Sequence, residues 1–170
     1  MIKFDRQRLI FGLFVLLFIV VTELVTARWK LPAWPAYVAW VLFFIEQMNA
    51  RKAPHILVGA AAGIGLVLLA PVAIVLLAPI LGLEWGRLLY ILLAVYAIVA
   101  FGEMVPLVLN NYAFLYFTVG GVALQAPDAN PVVWLIMGLV GGGSLIAGTM
   151  LAGRIMGAWI PAAQRPARAP

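Results

Sequence analysis

The residues best suited to chemistry interrupt one apolar stretch of the chain, residues 101–122. They are Glu103, Asn110, Asn111 and Tyr112. Each unsatisfied polar group in hydrocarbon costs several kcal/mol, so these side chains must bond to neighbouring helices or line a wet cavity. Amide and carboxylate groups in a membrane segment are therefore candidates for a solute pathway.

Glu46, near the end of an earlier apolar segment, extends this set. In the topology derived below, Glu46 and Glu103 lie on one side of the membrane and face each other across a vestibule. Asn110 and Asn111 lie about two turns deeper, where amide donors and acceptors replace a solute's hydration shell. An alternative gives both amides only a structural task, hydrogen bonding to neighbouring helices, and the sequence leaves the choice open.

The sequence gives little support for catalysis or metal binding. The chain has no Cys and one His, His55, which argues against a thiolate nucleophile and makes a metal site improbable. Ser144 is the only serine, and no nucleophile-elbow, metalloprotease or P-loop motif is present. We therefore predict a protein that is not an enzyme and that uses no metal or cofactor.

The composition is that of a membrane protein. Of 170 residues, 66% are hydrophobic and 10% are charged, and the mean hydropathy is +1.11. A soluble domain is nearer half apolar and a quarter charged. Since one span needs about 20 residues, we predict an all-α, polytopic bundle of about six helices. Residues 1–160 form a single transmembrane domain in contact with the lipid bilayer, and residues 161–170 form a flexible cytoplasmic tail.

Apolar runs and turn signals give approximate bounds for the six predicted helices. The second begins with Pro in its first turn, and Pro71 is expected to kink or break the third. The fifth is short and polar, so it either spans or is re-entrant. The predicted bounds are Leu9–Thr26, Trp34–Met48, Pro54–Leu83, Leu88–Phe101, Met104–Ala123 and Val132–Trp159.

The basic residues predict the orientation. They are scattered at the ends of apolar runs, which is typical of membrane topology rather than of nucleic-acid binding. With both termini inside, eight of the eleven lie inside and three outside, which favours an N-in, C-in orientation. The inside group is Lys3, Arg6, Arg8, Arg51, Lys52, Arg154, Arg165 and Arg168, and the outside group is Arg28, Lys30 and Arg87.

Small residues at four-residue spacing predict close helix packing. The pairs are Gly59 with Gly63, Gly138 with Gly142, and Gly153 with Gly157. The chain also suggests an internal repeat, because each half runs from an apolar helix to an aromatic one and then to a Gly-rich one. The prolines that begin the Gly-rich helices are 77 residues apart (131 − 54 = 77). Three helices in each half would give an inverted 3+3 repeat, an arrangement common in transporters.

A Leu-Pro turn, an aromatic second helix and a Gly-containing third helix follow one another in the first half of the chain. The residues of the turn and second helix are Leu31, Pro32, Trp34, Tyr37, Trp40, Phe43 and Phe44. With these features, residues 13–148 resemble a bacterial inner-membrane family catalogued as domain of unknown function 1097. The late segment departs from the family pattern, because residues 110–114 lack its proline and only Phe114 matches. The resemblance implies this fold and a location in the bacterial inner membrane, and it carries no established activity.

These observations predict a channel or transporter pathway for a small polar solute, in a homo-oligomer. The expected pathway residues are the five polar ones introduced first. The alternative is a non-transporting membrane scaffold or accessory subunit that stabilises a partner complex, for which the Gly-lined helix faces would supply the contact surface.

Overall fold

The chain folds into a helical bundle, and the computed structural model describes residues 6–159, with side chains from residue 9 to residue 156. The all-α prediction is confirmed, since these residues contain no strand. The predicted tail, Lys3, Arg165 and Arg168 lie outside the described part. The helices are α1 (Arg6–Trp29), α2 (Trp34–Ile45), α3 (Ala53–Leu81), α4 (Leu83–Phe101), α5 (Asn111–Ala123) and α6, which joins Pro131–Ile136, a π-helical turn at Met137–Gly141 and Gly142–Trp159.

Four of these helices, α1, α3, α4 and α6, have the length and apolar composition of a membrane span. The other two are shorter, with 12 residues in α2 and 13 in α5. At about 1.5 Å per residue they are about 20 Å long, which is less than the roughly 30 Å of a bilayer core. The described chain is therefore a helical membrane protein with four full-length helices and two short ones, rather than six similar spans.

The second helix ends at Ile45, three residues before the predicted end at Met48. Gln47 and Met48 both have positive φ, 53° and 58°. The N–H of Met48 bonds to the carbonyl of Phe43, and that of Gln47 to the carbonyl of Phe44. This pair of bonds is a Schellman motif, which closes a helix with a left-handed residue. A non-glycine residue in that position gives no sequence signal, which is why the predicted bound is wrong.

Two further bounds differ from the prediction. The fourth helix begins at Leu83 rather than Leu88, and residues 84–87, predicted as a turn, form its first turns. Only Gly82 separates it from α3, at a φ of 81° that favours glycine. The fifth helix begins at Asn111 rather than Met104, and residues 102–110 form successive turns. Pro106 lacks an N–H and disfavours helix at the residue before it, so the helix starts beyond it.

The third helix is continuous from Ala53 to Leu81 and contains both Pro71 and Pro79. The break expected at Pro71 is therefore absent. Pro71 is exposed, which leaves its ring on the outside of the bundle. Membrane helices tolerate such prolines because neighbouring groups satisfy the freed backbone atoms.

Two glycines on α3 bring it into contact with α5. A Cβ on Gly59 would lie 2.9 Å from Cβ of Tyr112, and one on Gly63 would lie 2.7 Å from Cβ of Tyr116 and would meet the carbonyl oxygen of Ala113. Neither position has room for a side chain, so Gly59 and Gly63 both lie where α3 and α5 approach closely. The later glycine of α3 faces the later tyrosine of α5, so the two helices run parallel.

The same arrangement recurs between α6 and α2. A Cβ on Gly142 would lie 2.6 Å from Cβ of Ala39 and 3.6 Å from the carbonyl oxygen of Ala36, and Gly138 faces Pro35 at 3.8 Å. Gly142 therefore has no room for a side chain, whereas a Cβ on Gly138 would make only ordinary contacts, the nearest at 3.6 Å from Cδ1 of Ile64. The third pair is different, because a Cβ on Gly153 would meet nothing within 4 Å.

The residues that face the glycines in these two contacts are 77 positions apart, whereas the glycines themselves are 79 positions apart (138 − 59 = 79 and 142 − 63 = 79). Pro35, Ala36 and Ala39, which face the glycines of α6, stand 77 positions before Tyr112, Ala113 and Tyr116, which face those of α3. An aromatic contact follows the same spacing on one of its two sides. Phe18 meets Trp40 edge-on at 6.2 Å, and Tyr90 meets Phe117 edge-on at 6.3 Å. Phe117 stands 77 positions after Trp40, whereas Tyr90 stands 72 positions after Phe18 (90 − 18 = 72).

The repeated units point in opposite directions. The hydroxyl of Tyr116 donates to the carbonyl of Pro35 at 2.6 Å, and that of Tyr112 donates to Glu46 at 2.7 Å. Early residues of α2 therefore meet later residues of α5, so these two equivalent helices are antiparallel. The contacts agree with the inverted 3+3 repeat that the sequence suggests.

The centre of the bundle is filled by large side chains. Tyr116, Phe43 and Ile56 are fully buried, and Trp34 and Trp134 stack edge-on at 5.4 Å. The interface between the two halves is thus a packed core, and open space must be sought elsewhere.

Candidate functional site

The polar residues predicted to form a pathway gather where α2 ends, α3 begins, α4 ends and α5 begins. This end of the bundle is called the Glu46 end, and the opposite one the Arg87 end. A carboxylate oxygen of Glu46 accepts the Tyr112 hydroxyl at 2.7 Å, and the other lies 3.9 Å from Nζ of Lys52. Glu46 therefore ties three helices together and has partners for both of its oxygens.

Asn110 caps the first turn of α5. Its backbone is extended (φ −146°, ψ 179°), and its Oδ1 accepts the N–H groups of Tyr112 and Ala113, both at 3.0 Å. Its Nδ2 donates to the carbonyls of Pro106, Leu107 and His55, at 3.0, 3.1 and 3.3 Å. Both ends of the amide are thus used by backbone groups, which leaves nothing to replace a solute's hydration.

Asn111, the next residue, is exposed and faces open space together with Glu103. These two side chains and Asn110 line a cavity of about 500 Å³ at the Glu46 end, between α4 and α5. The rest of the lining is apolar and includes Val99 and Phe114. Glu46 and Tyr112 are not among the lining residues, so the structure places Glu46 and Glu103 apart instead of across one vestibule.

A second cavity, of about 520 Å³, lies between the same two helices at the Arg87 end. The sequence analysis did not identify the polar residues that line this cavity, because residues 84–87 lie between the predicted third and fourth helices. Once α4 is extended to Leu83, the three-residue spacing of Glu84, Arg87 and Tyr90 places all three on one face. The polar or charged residues of its lining are Glu84, Arg87, Tyr90, Thr118 and Gln125.

The two cavities lie one after the other along the boundary between α4 and α5, which is called the α4–α5 seam, and they share no lining residue. Both helices pack on α3 and make few contacts with each other. Between the cavities the seam is narrowed by the edge-on contact of Tyr90 with Phe117. The Tyr90 hydroxyl donates to the carbonyl of Leu66, which holds the ring against α3. The seam thus has at each end a mainly apolar cavity that contains a few polar side chains, and an aromatic contact lies between the two cavities.

The equivalent groove in the first half, between α1 and α2, contains aromatic side chains. Phe11 meets Phe44 at 6.3 Å and Phe18 meets Trp40 at 6.2 Å, both edge-on. Near its end the Tyr37 hydroxyl donates to Glu23 at 2.8 Å. The two halves share a backbone arrangement. They differ in that two aromatic pairs bridge the α1–α2 groove, whereas one aromatic pair bridges the α4–α5 seam.

Among the described residues, no group of three or more His, Asp or Glu side chains could hold a metal ion. No protein-family model matches this chain, and no curated protein or solved structure matches it significantly. A functional assignment therefore depends on the geometry of the site.

Proposed function

We propose that this membrane protein provides a pathway for a small polar solute along the α4–α5 seam. The observation that carries the proposal is the pair of separate cavities along the boundary of α4 and α5, one toward each end of the bundle. Each cavity offers charged or amide groups, and such groups can replace part of a solute's hydration shell. The aromatic constriction at Tyr90 and Phe117 separates them, as expected of a pathway in its closed state.

The charges of the cavities suggest the class of solute. Glu103 and Asn111 at the Glu46 end offer a carboxylate and an amide, and Glu84 lies beside Arg87 at the other end. An anion would meet a carboxylate in both cavities. A neutral or cationic solute of a few heavy atoms fits this arrangement better, and urea, methylammonium and potassium are suitable probes.

The alternative, a scaffold or accessory subunit, drew its support from the Gly-lined helix faces. Gly59 and Gly63 are covered by α5, and Gly142 is covered by α2, all within one chain. These faces therefore offer no free surface to another subunit. The alternative remains open for other surfaces of the protein, and the flux experiment below separates the two functions.

Filling the Arg87-end cavity tests the proposal. Gly121 lines this cavity, and a Cβ there would meet nothing within 4 Å, so Gly121→Phe adds a ring to the open space without a clash at Cβ. The matched control is Gly65→Phe on α3, outside the lining of either cavity and also without a neighbour within 4 Å. The measurement is the rate at which urea, methylammonium or potassium enters proteoliposomes.

We expect flux of at least one probe through the parent and the control, and a loss of about tenfold or more in Gly121→Phe. The melting temperatures of all three proteins should be similar. Equal flux in both variants would place the pathway elsewhere, and no flux through the parent for any probe would favour the scaffold function.

A further inference from the structure

Two hollows at the Arg87 end of the bundle meet along one edge of α4. The first is the Arg87-end cavity, between α4 and α5. The second, of about 370 Å³, is lined by residues of α4 alone, among them Trp85 and Leu88. Glu84, Arg87 and Ile91 line both hollows, so they form the edge between them, which is called the α4 ridge.

The α4 ridge carries two opposite charges that are not paired with each other. The three-residue spacing of Glu84 and Arg87 places them on one face of the helix, and both side chains are exposed. Within residues 9–156 neither side chain has an ion-pair or hydrogen-bond partner, and the one ion pair in that part of the chain joins Lys52 to Glu46 at the other end. A carboxylate and a guanidinium are thus both free to bind a ligand that carries the two complementary charges.

The order of these groups along α4 follows their depth in the bilayer. The helix begins at Leu83 with Glu84 in its first turn. Arg87 lies about 4.5 Å further along the axis, and Ile91 about 6 Å beyond it. Trp85, which is 68% exposed, lies beside them, and tryptophan is enriched at the level of lipid headgroups. A ligand that enters from the membrane surface therefore meets the carboxylate first, then the guanidinium, and then apolar walls.

The remaining walls of the Arg87-end cavity are mainly apolar, and they include Val67, Ile74 and Phe117. The hydroxyls of Tyr90 and Thr118 also line this cavity, but each donates to a backbone carbonyl of the bundle. The cavity thus offers an apolar space next to two free charges, which suits a molecule with a charged head and an apolar tail.

We propose that the α4 ridge binds a phospholipid whose headgroup carries a primary amine, such as phosphatidylethanolamine. Its phosphate pairs with Arg87, because a guanidinium matches the geometry of phosphate oxygens. Its ammonium group pairs with Glu84, which lies nearer water, as the ammonium does in the lipid. The two acyl chains enter the two hollows, one on each side of Ile91.

The pair of charges selects against other common headgroups. Phosphatidylglycerol has a phosphate for Arg87 but no cation for Glu84. Phosphatidylcholine has both charges, but its quaternary ammonium has no N–H to donate to the carboxylate. A primary amine beside a phosphate satisfies both side chains of the ridge.

The lipid site shares the Arg87-end cavity with the proposed solute pathway. An acyl chain fills this space when no solute is present, so a bound lipid and a passing solute exclude each other. The argument for lipid binding uses only the charges and the hollows, and it does not depend on the proposed function.

Native mass spectrometry of the purified protein in detergent tests the proposal. The probes are phosphatidylethanolamine, phosphatidylcholine and phosphatidylglycerol with the same acyl chains. We expect phosphatidylethanolamine to bind about fivefold more tightly than phosphatidylglycerol, because an exposed ion pair contributes up to about 1 kcal/mol, and phosphatidylcholine to lie between them. Equal dissociation constants for the three lipids would show unselective contact with lipid and would overturn the proposal.

Two substitutions assign the charges. Glu84→Gln should lower the affinity for phosphatidylethanolamine to that for phosphatidylglycerol, and Arg87→Gln should lower both affinities about fivefold. Arg28→Gln is the matched control, because Arg28 is exposed in the last turn of α1, at the same end of the bundle, and lines neither hollow. It should change neither affinity. An unchanged lipid preference in Glu84→Gln, or an equal loss in Arg28→Gln, would contradict binding at the ridge.

The place of the acyl chains is tested by Gly121→Phe, which fills the Arg87-end cavity. It should weaken the binding of all three lipids, whereas Gly65→Phe should leave it unchanged. Unchanged binding in both variants would contradict the entry of an acyl chain into this cavity. Since these measurements use no solute, a failed flux assay and a failed lipid-binding assay are distinguishable.

Discussion

At the scale of single residues, two adjacent amides have different tasks. Asn110 bonds five backbone groups around the start of α5. Asn111, one position later, is exposed on the Glu46-end cavity. The sequence shows that both amides lie in an apolar stretch, but it cannot separate them. The difference depends on the extended backbone of Asn110, which turns its side chain back onto the first turn of the helix.

Substitution should separate these two tasks. Asn110→Ala removes a helix cap and should lower the free energy of unfolding by about 1–2 kcal/mol, with flux reduced only in proportion to the folded fraction. Asn111→Leu should leave thermal unfolding unchanged and reduce flux. Unfolding in detergent and proteoliposome flux, measured on both variants, check this. A destabilised Asn111→Leu protein with normal flux per folded molecule would contradict the assignment.

At the scale of helices, the glycine spacing was the most informative signal in the sequence. Gly59, Gly63 and Gly142 lie where a neighbouring helix leaves no room for a side chain, because a missing side chain lets two backbones approach, whereas Gly138 makes only ordinary contacts. The spacing failed for Gly153, which has open space around it. Because the same four-residue spacing occurs in all three pairs, the presence of a neighbouring helix determines whether a glycine lies at a close contact. Helix ends were less predictable, since the Schellman turn at Gln47 and the early start of α4 have no strong local signature.

A pair of leucine substitutions tests these packing assignments. Gly63→Leu places a side chain against the carbonyl of Ala113 and Cβ of Tyr116, and overpacking of this kind costs about 1–3 kcal/mol or more. Gly153→Leu should leave stability unchanged. Chemical unfolding followed by tryptophan fluorescence gives both values. Equal stabilities would show that α3 and α5 can separate without cost.

At the scale of the whole molecule, successive helices alternate in direction. Phe11 at the start of α1 meets Phe44 at the end of α2, and Gly86 at the start of α4 packs on Leu77 near the end of α3. The 77-residue spacing in the sequence predicted the repeat, and the contacts around it agree. The asymmetry of the halves could not be predicted, because it depends on which aromatic rings bridge which groove.

Labelling tests the orientation in the membrane. Ala50→Cys lies at the Glu46 end and Asp128→Cys at the Arg87 end, and both positions are exposed. Because the basic residues favour the Glu46 end as the inner side, a membrane-impermeant maleimide added to intact cells should modify Asp128→Cys and spare Ala50→Cys until the cells are opened. The reverse pattern would invert the topology.

The contacts of α3 also determine whether α4 or α5 can move more easily relative to it. At Gly59 and Gly63, α5 lies against α3 backbone to backbone, so a separation of these two helices would break close contacts. At the Arg87 end α4 is attached to α3 through Gly82, by the packing of Gly86 and by the Tyr90 hydrogen bond, whereas its other end leads into the turns that begin at Gly102. If the seam widens by a movement of α4, we therefore expect the widening to be largest at the Glu46 end.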